Sequence, residues 1–223
     1  MAYGFVKASS QYLSINDTAA LDITGAITVA CWAKRSSDLT TDQQLVAKYE
    51  SSAGKLNQRS YLLLVSTSGN LAFITTQDGT GSTVSRRDSS SSTSATFQHL
   101  CGTWSPVNYP NVYIAGTLSN GTPQGTTANT SILSGTANLT IGAGSSGTGS
   151  FFTGDIAEIG IWNAALTADE IASLAKGMTC DKIRPQNLVF YAPLVRDLND
   201  QKGGLTITNN NGATVANHPR VYA

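Results

Sequence analysis

Charged residues are scarce in this sequence. They make up 13% of 223 residues, where soluble domains usually carry about 25%. Lysine plus arginine and aspartate plus glutamate balance at 14 each. A chain without net charge has no overall field to attract nucleic acid or an anionic membrane surface. We therefore predict that its partners include no nucleic acid.

Long apolar runs are absent as well, since none approaches the 18 residues that suggest a membrane span. The first ten residues, MAYGFVKASS, lack the basic start and the apolar stretch of a secretion signal. We therefore expect no membrane insertion, and we expect the chain to be made and used without secretion.

Histidine and cysteine are too few and too dispersed for most metal and nucleophile chemistry. His99 and His218 are the only histidines, no Gly-x-Ser-x-Gly elbow accompanies them, and no Cys and His cluster has zinc spacing. The three cysteines are Cys31, Cys101 and Cys180. Free buried thiols are the interpretation we favour, because cysteine packs as a small hydrophobe. A disulfide between Cys31 and Cys101 is the alternative.

Paired carboxylates are nearly absent. Retaining glycosidases need two of them about 5 Å apart, and Asp155 and Glu158 are the only comparable pair. Their spacing of three places them on opposite faces of a strand, so we predict no catalytic residues and no enzyme activity. Calcium is left open as a cofactor, with Asp17, Asp22 and Asp155 as possible contributors.

The richest pattern that is present runs from Phe151 to Gly177. Ile156 to Trp162 is a β-rich apolar run that predicts a buried strand. Thr167 followed by Glu170 is a capping box, and it predicts the start of a short amphipathic helix. Gly177 lies where a left-handed C-cap is expected.

Short strand patterns fill most of the remaining chain. They lie at 5–15, 27–34, 45–49, 60–66, 70–76, 97–104, 111–115, 139–142, 188–194 and 205–208. From 77 to 96 the composition turns to Gly, Ser, Thr and Asp, and we predict a long exposed loop with at most a weak edge strand. The fold class predicted is all-β, a two-sheet antiparallel jelly-roll β-sandwich with one short helix near 167–176. We expect residues 1–223 to form a single domain, with the tail 178–223 adding closing strands.

The order of the segments resembles the laminin-G-like family of the concanavalin A-like lectin and glucanase fold. Four stretches carry the resemblance: QYLSINDTAALDITGAITVACWAKR, LVAKYE with YLLLVSTSGNLAF, FQHLCGTW with NVYIAGTL, and LTIGAG with FFTGDIAEIGIWNAALTADEI. Two departures matter. The family's Tyr-x-Asn-Gly turn has Ala115 in place of the asparagine, and the acidic pair before the last strand is reduced to Ala157 and Glu158. The second departure leaves only one acid of the pair that the resemblance associates with calcium.

The tail LVFYAPLVRDLNDQKGGLTITNNNGATVANHPRV is similar to the ending of laminin-G-like proteins encoded by phages. The resemblance implies a virion surface protein, such as a capsid decoration, head-fibre or tail component. Its partners would be other virion proteins or further copies of itself.

The alternative function is a lectin-like module that binds cell-surface glycans, with calcium dependence left open. Glycan sites combine an aromatic face with amides and hydroxyls. Two groups of residues are candidates: Trp104 with Asn108 and Tyr109, and Arg86 and Arg87 with Asp88 in the serine-rich stretch. In each group a structural role competes with the binding role, because the tryptophan suits a core and the arginines suit a solvated loop.

Overall fold

The computed structural model describes residues 2–52, 57–125 and 129–222, and it has two antiparallel sheets. Strands are numbered along the chain. Sheet 1 contains β1 (Ala2–Phe5), β3 (Ile27–Arg35), β8 (Gln98–Trp104), β9 (Asn111–Ile114), β10 (Thr117–Leu118), β13 (Gly154–Trp162), β14 (Leu188–Ala192) and β16 (Thr214–Ala216). Sheet 2 contains β2 (Tyr12–Ile15), β4 (Gln43–Glu50), β5 (Gln58–Val65), β6 (Asn70–Thr76), β7 (Val84–Ser92), β11 (Asn120–Gly125), β12 (Leu139–Ile141) and β15 (Thr208–Asn210).

The strand order in sheet 1 is β10-β9-β8-β3-β13-β1-β16, with β14 paired to the second half of β13. Sheet 2 has the order β11-β7-β6-β5-β4-β12-β2-β15. The architecture confirms the predicted all-β, two-sheet antiparallel sandwich with its jelly-roll character.

The main core fills the space between the two sheets. Alternate residues of each strand point into it, as the period of two requires, and Val29, Leu63 and Phe73 are fully buried there. The sheets approach closely at Gly102, where a Cβ atom would lie 2.3 Å from the Phe73 ring. This position therefore requires glycine.

One α-helix, α1 (Ala168–Ala175), packs on the outer face of sheet 1 against β8 and β10. The predicted capping box is confirmed, because the Glu170 amide donates to the Thr167 hydroxyl and the Thr167 amide donates to Glu170. Ile171 and Leu174 join a second apolar cluster that also contains Trp162. The helix thus covers part of sheet 1.

The tail of the chain contributes strands to both sheets. β14 and β16 extend sheet 1, and β15 forms an edge of sheet 2. The strand predicted at 205–208 lies slightly later, at Thr208–Asn210. Beyond β16, the Tyr222 amide donates to the Gly177 carbonyl at 2.5 Å, so the tail ends beside α1.

One sequence prediction about local structure was wrong, and one strand has an irregularity that the sequence did not indicate. The stretch predicted as an exposed loop contains β7, a nine-residue strand paired on both sides, to β6 and β11. A bulge in β13 also leaves Glu158 with a φ of 51°, which shifts the register between Ala157 and Gly160.

The three cysteines are free and buried, so the favoured interpretation of Cys31, Cys101 and Cys180 is confirmed and the disulfide alternative is wrong. Burial raises the pKa of the Cys31 thiol to about 12. Within the described residues, no helix is both long enough and apolar enough to cross a membrane.

Candidate ligand-binding site

The first predicted group lies at one rim of the sandwich and is used for structure. Trp104 ends β8, is 1% exposed, and its Nε1–H donates to the Asn108 carbonyl at 2.8 Å. The Asn108 side-chain amide donates within its own turn, to the Ser105 hydroxyl and the Pro106 carbonyl. The tryptophan therefore closes the core and offers no ring face to a ligand.

Arg87 joins this rim. Its guanidinium donates to the Pro110 carbonyl at 3.0 Å and to the Gly121 carbonyl at 2.8 Å. The same group lies 5.8 Å from the centre of the Tyr109 ring and covers one face of it. The structure thus brings Arg87 and Tyr109 together, but it commits the arginine to two backbone carbonyls, one just before β9 and one in β11.

Arg86 points the opposite way from Arg87, because successive side chains alternate across a strand. Arg87 pairs across the sheet with Phe73, a core residue, whereas Arg86 pairs with Ile74 on the outer face of sheet 2. Arg86 forms a bidentate ion pair with Asp88, at 2.6 and 3.0 Å. The two neighbouring arginines therefore belong to different sites.

The outer face of sheet 2 carries its own apolar cluster. Its buried members are Ala47, Leu62, Leu64, Ala72 and Ile74. The partly buried Tyr49 packs against this cluster, and the Arg59 guanidinium lies 5.9 Å from the centre of its ring. The Tyr49 ring thus packs on an apolar surface and has a guanidinium over one of its faces, as Tyr109 has.

Polar side chains continue along the same outer face, on β7 and β11. The Gln124 amide donates to Asp88 at 3.2 Å, which links β11 to the arginine pair on β7. We name Tyr49, Arg59, Arg86, Asp88 and Gln124 the sheet-2 polar cluster. Arg86 and Asp88 are each about one fifth exposed, at 22% and 21% of their side chains. The cluster is consequently accessible without being fully solvated.

The electrostatics of the cluster are set mainly by burial. Burial raises the pKa of Tyr49, and the nearby charges of Arg59 and Arg86 oppose that rise. The phenol thus remains a neutral donor and acceptor at physiological pH. Sequence reasoning missed Tyr49, Arg59 and Gln124, because they come from three separated strands that only the folded register brings together.

Asp155 and Glu158 do not lie on opposite faces, and this prediction was wrong. The bulge in β13 turns Glu158 to the outer face of sheet 1, where Asp155 also points. Glu158 is 4% exposed and accepts from the Tyr191 hydroxyl at 2.7 Å, with His218 Nε2 3.1 Å away. Asp155 pairs with Lys34 at 3.5 Å. Each carboxylate has a structural partner of its own.

The three aspartates considered for calcium do not form one ligand set. Asp155 belongs to sheet 1, whereas Asp17 and Asp22 both pair with the buried Lys48 of β4. The described residues contain no cluster of three or more Asp, Glu, His and Cys that fits a metal ion. A calcium ion would therefore have to displace an ammonium group.

A model of the concanavalin A-like lectin/glucanases superfamily matches residues 7–172. No curated protein matches the sequence. Among solved structures, a Bacteroides ovatus protein provisionally described as carbohydrate-binding has a TM-score of 0.70 at 15% identity. It aligns with 100% of this chain, which spans 61% of that protein's length.

Two other solved structures, a pentraxin and a carbohydrate-binding module, are also similar in fold to this chain. The heptameric SAP-like pentraxin of Limulus polyphemus has a TM-score of 0.64 at 15% identity, over 97% of this chain and 94% of its own. The CBM40 of Ruminococcus gnavus IT-sialidase, bound to α2,3-sialyllactose, has a TM-score of 0.59 at 12% identity, over 78% and 97%. At these identities the similarity is one of fold.

Proposed function

Because this chain belongs to the concanavalin A-like lectin/glucanases superfamily, we propose that it is a non-catalytic glycan-binding module whose ligand lies on the sheet-2 polar cluster. The observation that carries the proposal is an outer face of sheet 2 that combines the apolar surface beside Tyr49 with the planar polar groups of Arg86, Asp88 and Gln124 on β7 and β11. Sugar rings have apolar faces that pack on aromatic rings, and their hydroxyls pair with planar polar groups.

The position of the cluster supports the same proposal. Helix α1 packs on the outer face of sheet 1 and does not cover sheet 2. These side chains therefore form the outer face of sheet 2. Two of the structures similar in fold are described by their sugar ligand or by carbohydrate binding. The absence of a catalytic role is part of the proposal, because Glu158 is buried and bonded to Tyr191.

A glycan array tests the proposal, and the chain offers a matched pair of variants. Arg86→Gln should weaken binding about tenfold or more, because a hydrogen bond to a charged group contributes about 1.5–3 kcal/mol. Arg87→Gln changes the same residue type on the same strand but on the opposite face. We expect it to keep the affinity and to lower the melting temperature, since it loses its bonds to Pro110 and Gly121.

The opposite pattern, with binding lost in Arg87→Gln and kept in Arg86→Gln, would assign the ligand to the rim and refute the sheet-2 site. A wild-type protein that binds nothing across a broad array would refute the glycan function itself. Trp104→Ala is unsuitable for this test, because truncating a buried tryptophan costs about 3–5 kcal/mol and would unfold the site.

A structural role on a virion surface is the second candidate. It is supported by the tail 188–221, which resembles the ending of phage laminin-G-like proteins and supplies β14, β15 and β16. In that role the chain would bind other virion proteins or copies of itself. Recovery of the protein in purified particles, with no binding on the array, would favour this role over the lectin.

A further inference from the structure

Lys48 is a fully buried lysine with an unusual set of neighbours. It belongs to β4, its side chain has 0% exposure, and its ammonium donates to the Gly135 and Ala137 carbonyls at 2.7 and 2.8 Å. It also donates to the Asp17 carboxylate. Asp22 Oδ1 lies 3.2 Å from the same nitrogen. Four oxygens from two parts of the chain thus converge on one cation.

The fit of the ammonium to these oxygens is incomplete. An ammonium has three N–H donors, and Asp17, Gly135 and Ala137 take all three. Asp22 Oδ1 is buried and receives no hydrogen bond from the described part of the chain. Its contact with Lys48 is therefore one of charge alone.

The charge is also unbalanced, because two carboxylates face one positive charge. A divalent cation would neutralise both. Calcium binds 6–8 oxygens from carboxylates, backbone carbonyls and water, and its contacts do not depend on the direction of N–H bonds. Two carboxylates and two carbonyls make up a calcium donor set.

The two carboxylate side chains lie near the surface of the protein. The side chains of Asp17 and Asp22 are 31% and 22% exposed. A surface pocket of about 390 Å³ adjoins Asp22 and is lined by Ala19, Thr24 and Asn163 among others. The Asp22 side of the site is therefore close to solvent, which would supply the water ligands that calcium takes.

We propose that the Lys48 ammonium takes the place of a structural divalent cation, and that the same oxygens form a calcium site once the ammonium is removed. The lysine holds Asp17 and Asp22, which follow β2, against β4 and the segment containing Gly135 and Ala137. The wild-type fold consequently needs no calcium here. This inference is independent of the proposed glycan function.

Thermal melts in chelator and in about 10 mM calcium test the inference, with sodium chloride matching the ionic strength. The wild type should melt at the same temperature in both buffers. Lys48→Ala should melt lower in chelator and rise by about 5 °C or more in calcium, as expected for a ligand well above its Kd. Lys34→Ala, which removes an exposed lysine paired with Asp155, should show no response to calcium.

A second variant excludes a general effect of calcium. Asp22→Asn in the Lys48→Ala background should abolish the rise, because it removes one of the two carboxylates. If Lys48→Ala folds only when calcium is present during refolding, that result also supports the site. A Lys48→Ala protein that melts identically in both buffers, or that folds in neither, overturns the inference. A wild type destabilised by chelator overturns it as well.

Discussion

His99 is a buried histidine on the outer face of sheet 1. It is 2% exposed, its ring lies 5.9 Å from the Trp32 ring, and its Nδ1 has no hydrogen-bond partner among the described residues. Burial lowers the pKa of this imidazole to about 3, from an ordinary value of 6.5. The folded protein therefore holds His99 in its neutral form.

This burial makes stability depend on pH over a defined range. Between pH 6.5 and 3 the unfolded state binds a proton that the folded state does not, so stability falls as the pH drops below 6.5. At pH 5 the loss should be about 2 kcal/mol relative to pH 7.5. Urea denaturation of the wild type and of His99→Phe, at both pH values, should show a smaller loss in the variant. Equal losses would contradict the prediction.

The roles of some residues could not be predicted from the sequence. The sequence placed Arg86 and Arg87 in one candidate group, but their separation onto two faces depends on β7, which the serine-rich composition concealed. Lys48 carried no sequence signal, because it reads as an ordinary polar residue in LVAKYE. Its role appears only when Gly135 and Ala137 are brought to it by the fold.

The hairpin between β9 and β10 turns at Ala115 and Gly116, with φ values of 50° and 80°. Both residues are in the left-handed region, as in the two-residue turns that favour Asn-Gly. Ala115 pays a steric cost there, because its Cβ approaches the following carbonyl oxygen. The departure from the family motif noted in the sequence is thus a strained position that the fold retains.

Ala115→Asn should stabilise the protein by about 0.5–1 kcal/mol, because asparagine tolerates the left-handed conformation better. The side chain at this position is exposed, so the larger residue has room. The midpoint of urea denaturation measures the gain. Gly116→Ala is the matched control and should destabilise, since its Cβ would lie 2.8 Å from the Ala175 Cβ. A lower midpoint for Ala115→Asn would count against this account of the turn.

Elements whose sequences show a strong apolar periodicity were predictable. The strand β7 and the bulge in β13 were not. β13 and α1 have buried stripes and a capping box, which are local signals. β7 is rich in serine, and it is a strand because β6 and β11 pair with it and hydroxyls such as Ser89 Oγ find backbone partners. The bulge at Glu158 is fixed by β3 and β14 on either side of β13.

At the scale of the whole molecule, the sandwich extends beyond the part that the family model matches. That match ends at residue 172, whereas β14, β15 and β16 follow it. β15 lies at an edge of sheet 2 and β16 at an edge of sheet 1. We therefore expect the tail to be needed for the stability of both sheets, as a single domain requires.

Truncation after Gly204 removes both edge strands, and it should lower the free energy of unfolding by about 3 kcal/mol or more. The loss arises because Ile207 and Ala213 leave the core and β1 and β2 each lose a neighbour. Thermal denaturation measures it, with a chain truncated after Pro219 as the control that retains both strands. Equal melting temperatures for the two truncated chains would show that residues 1–204 are stable alone.

The pairing of β1 with β16 also determines how the molecule would respond to mechanical load. Ala2 lies opposite Ala216 and Gly4 lies opposite Thr214 in this antiparallel pair. Ala2 and Ala216 lie at the same end of the pair. Tension applied to these two residues would therefore break the hydrogen bonds one after another, rather than load all of them together in shear. The edge strand β16 should consequently detach from β1 at low force.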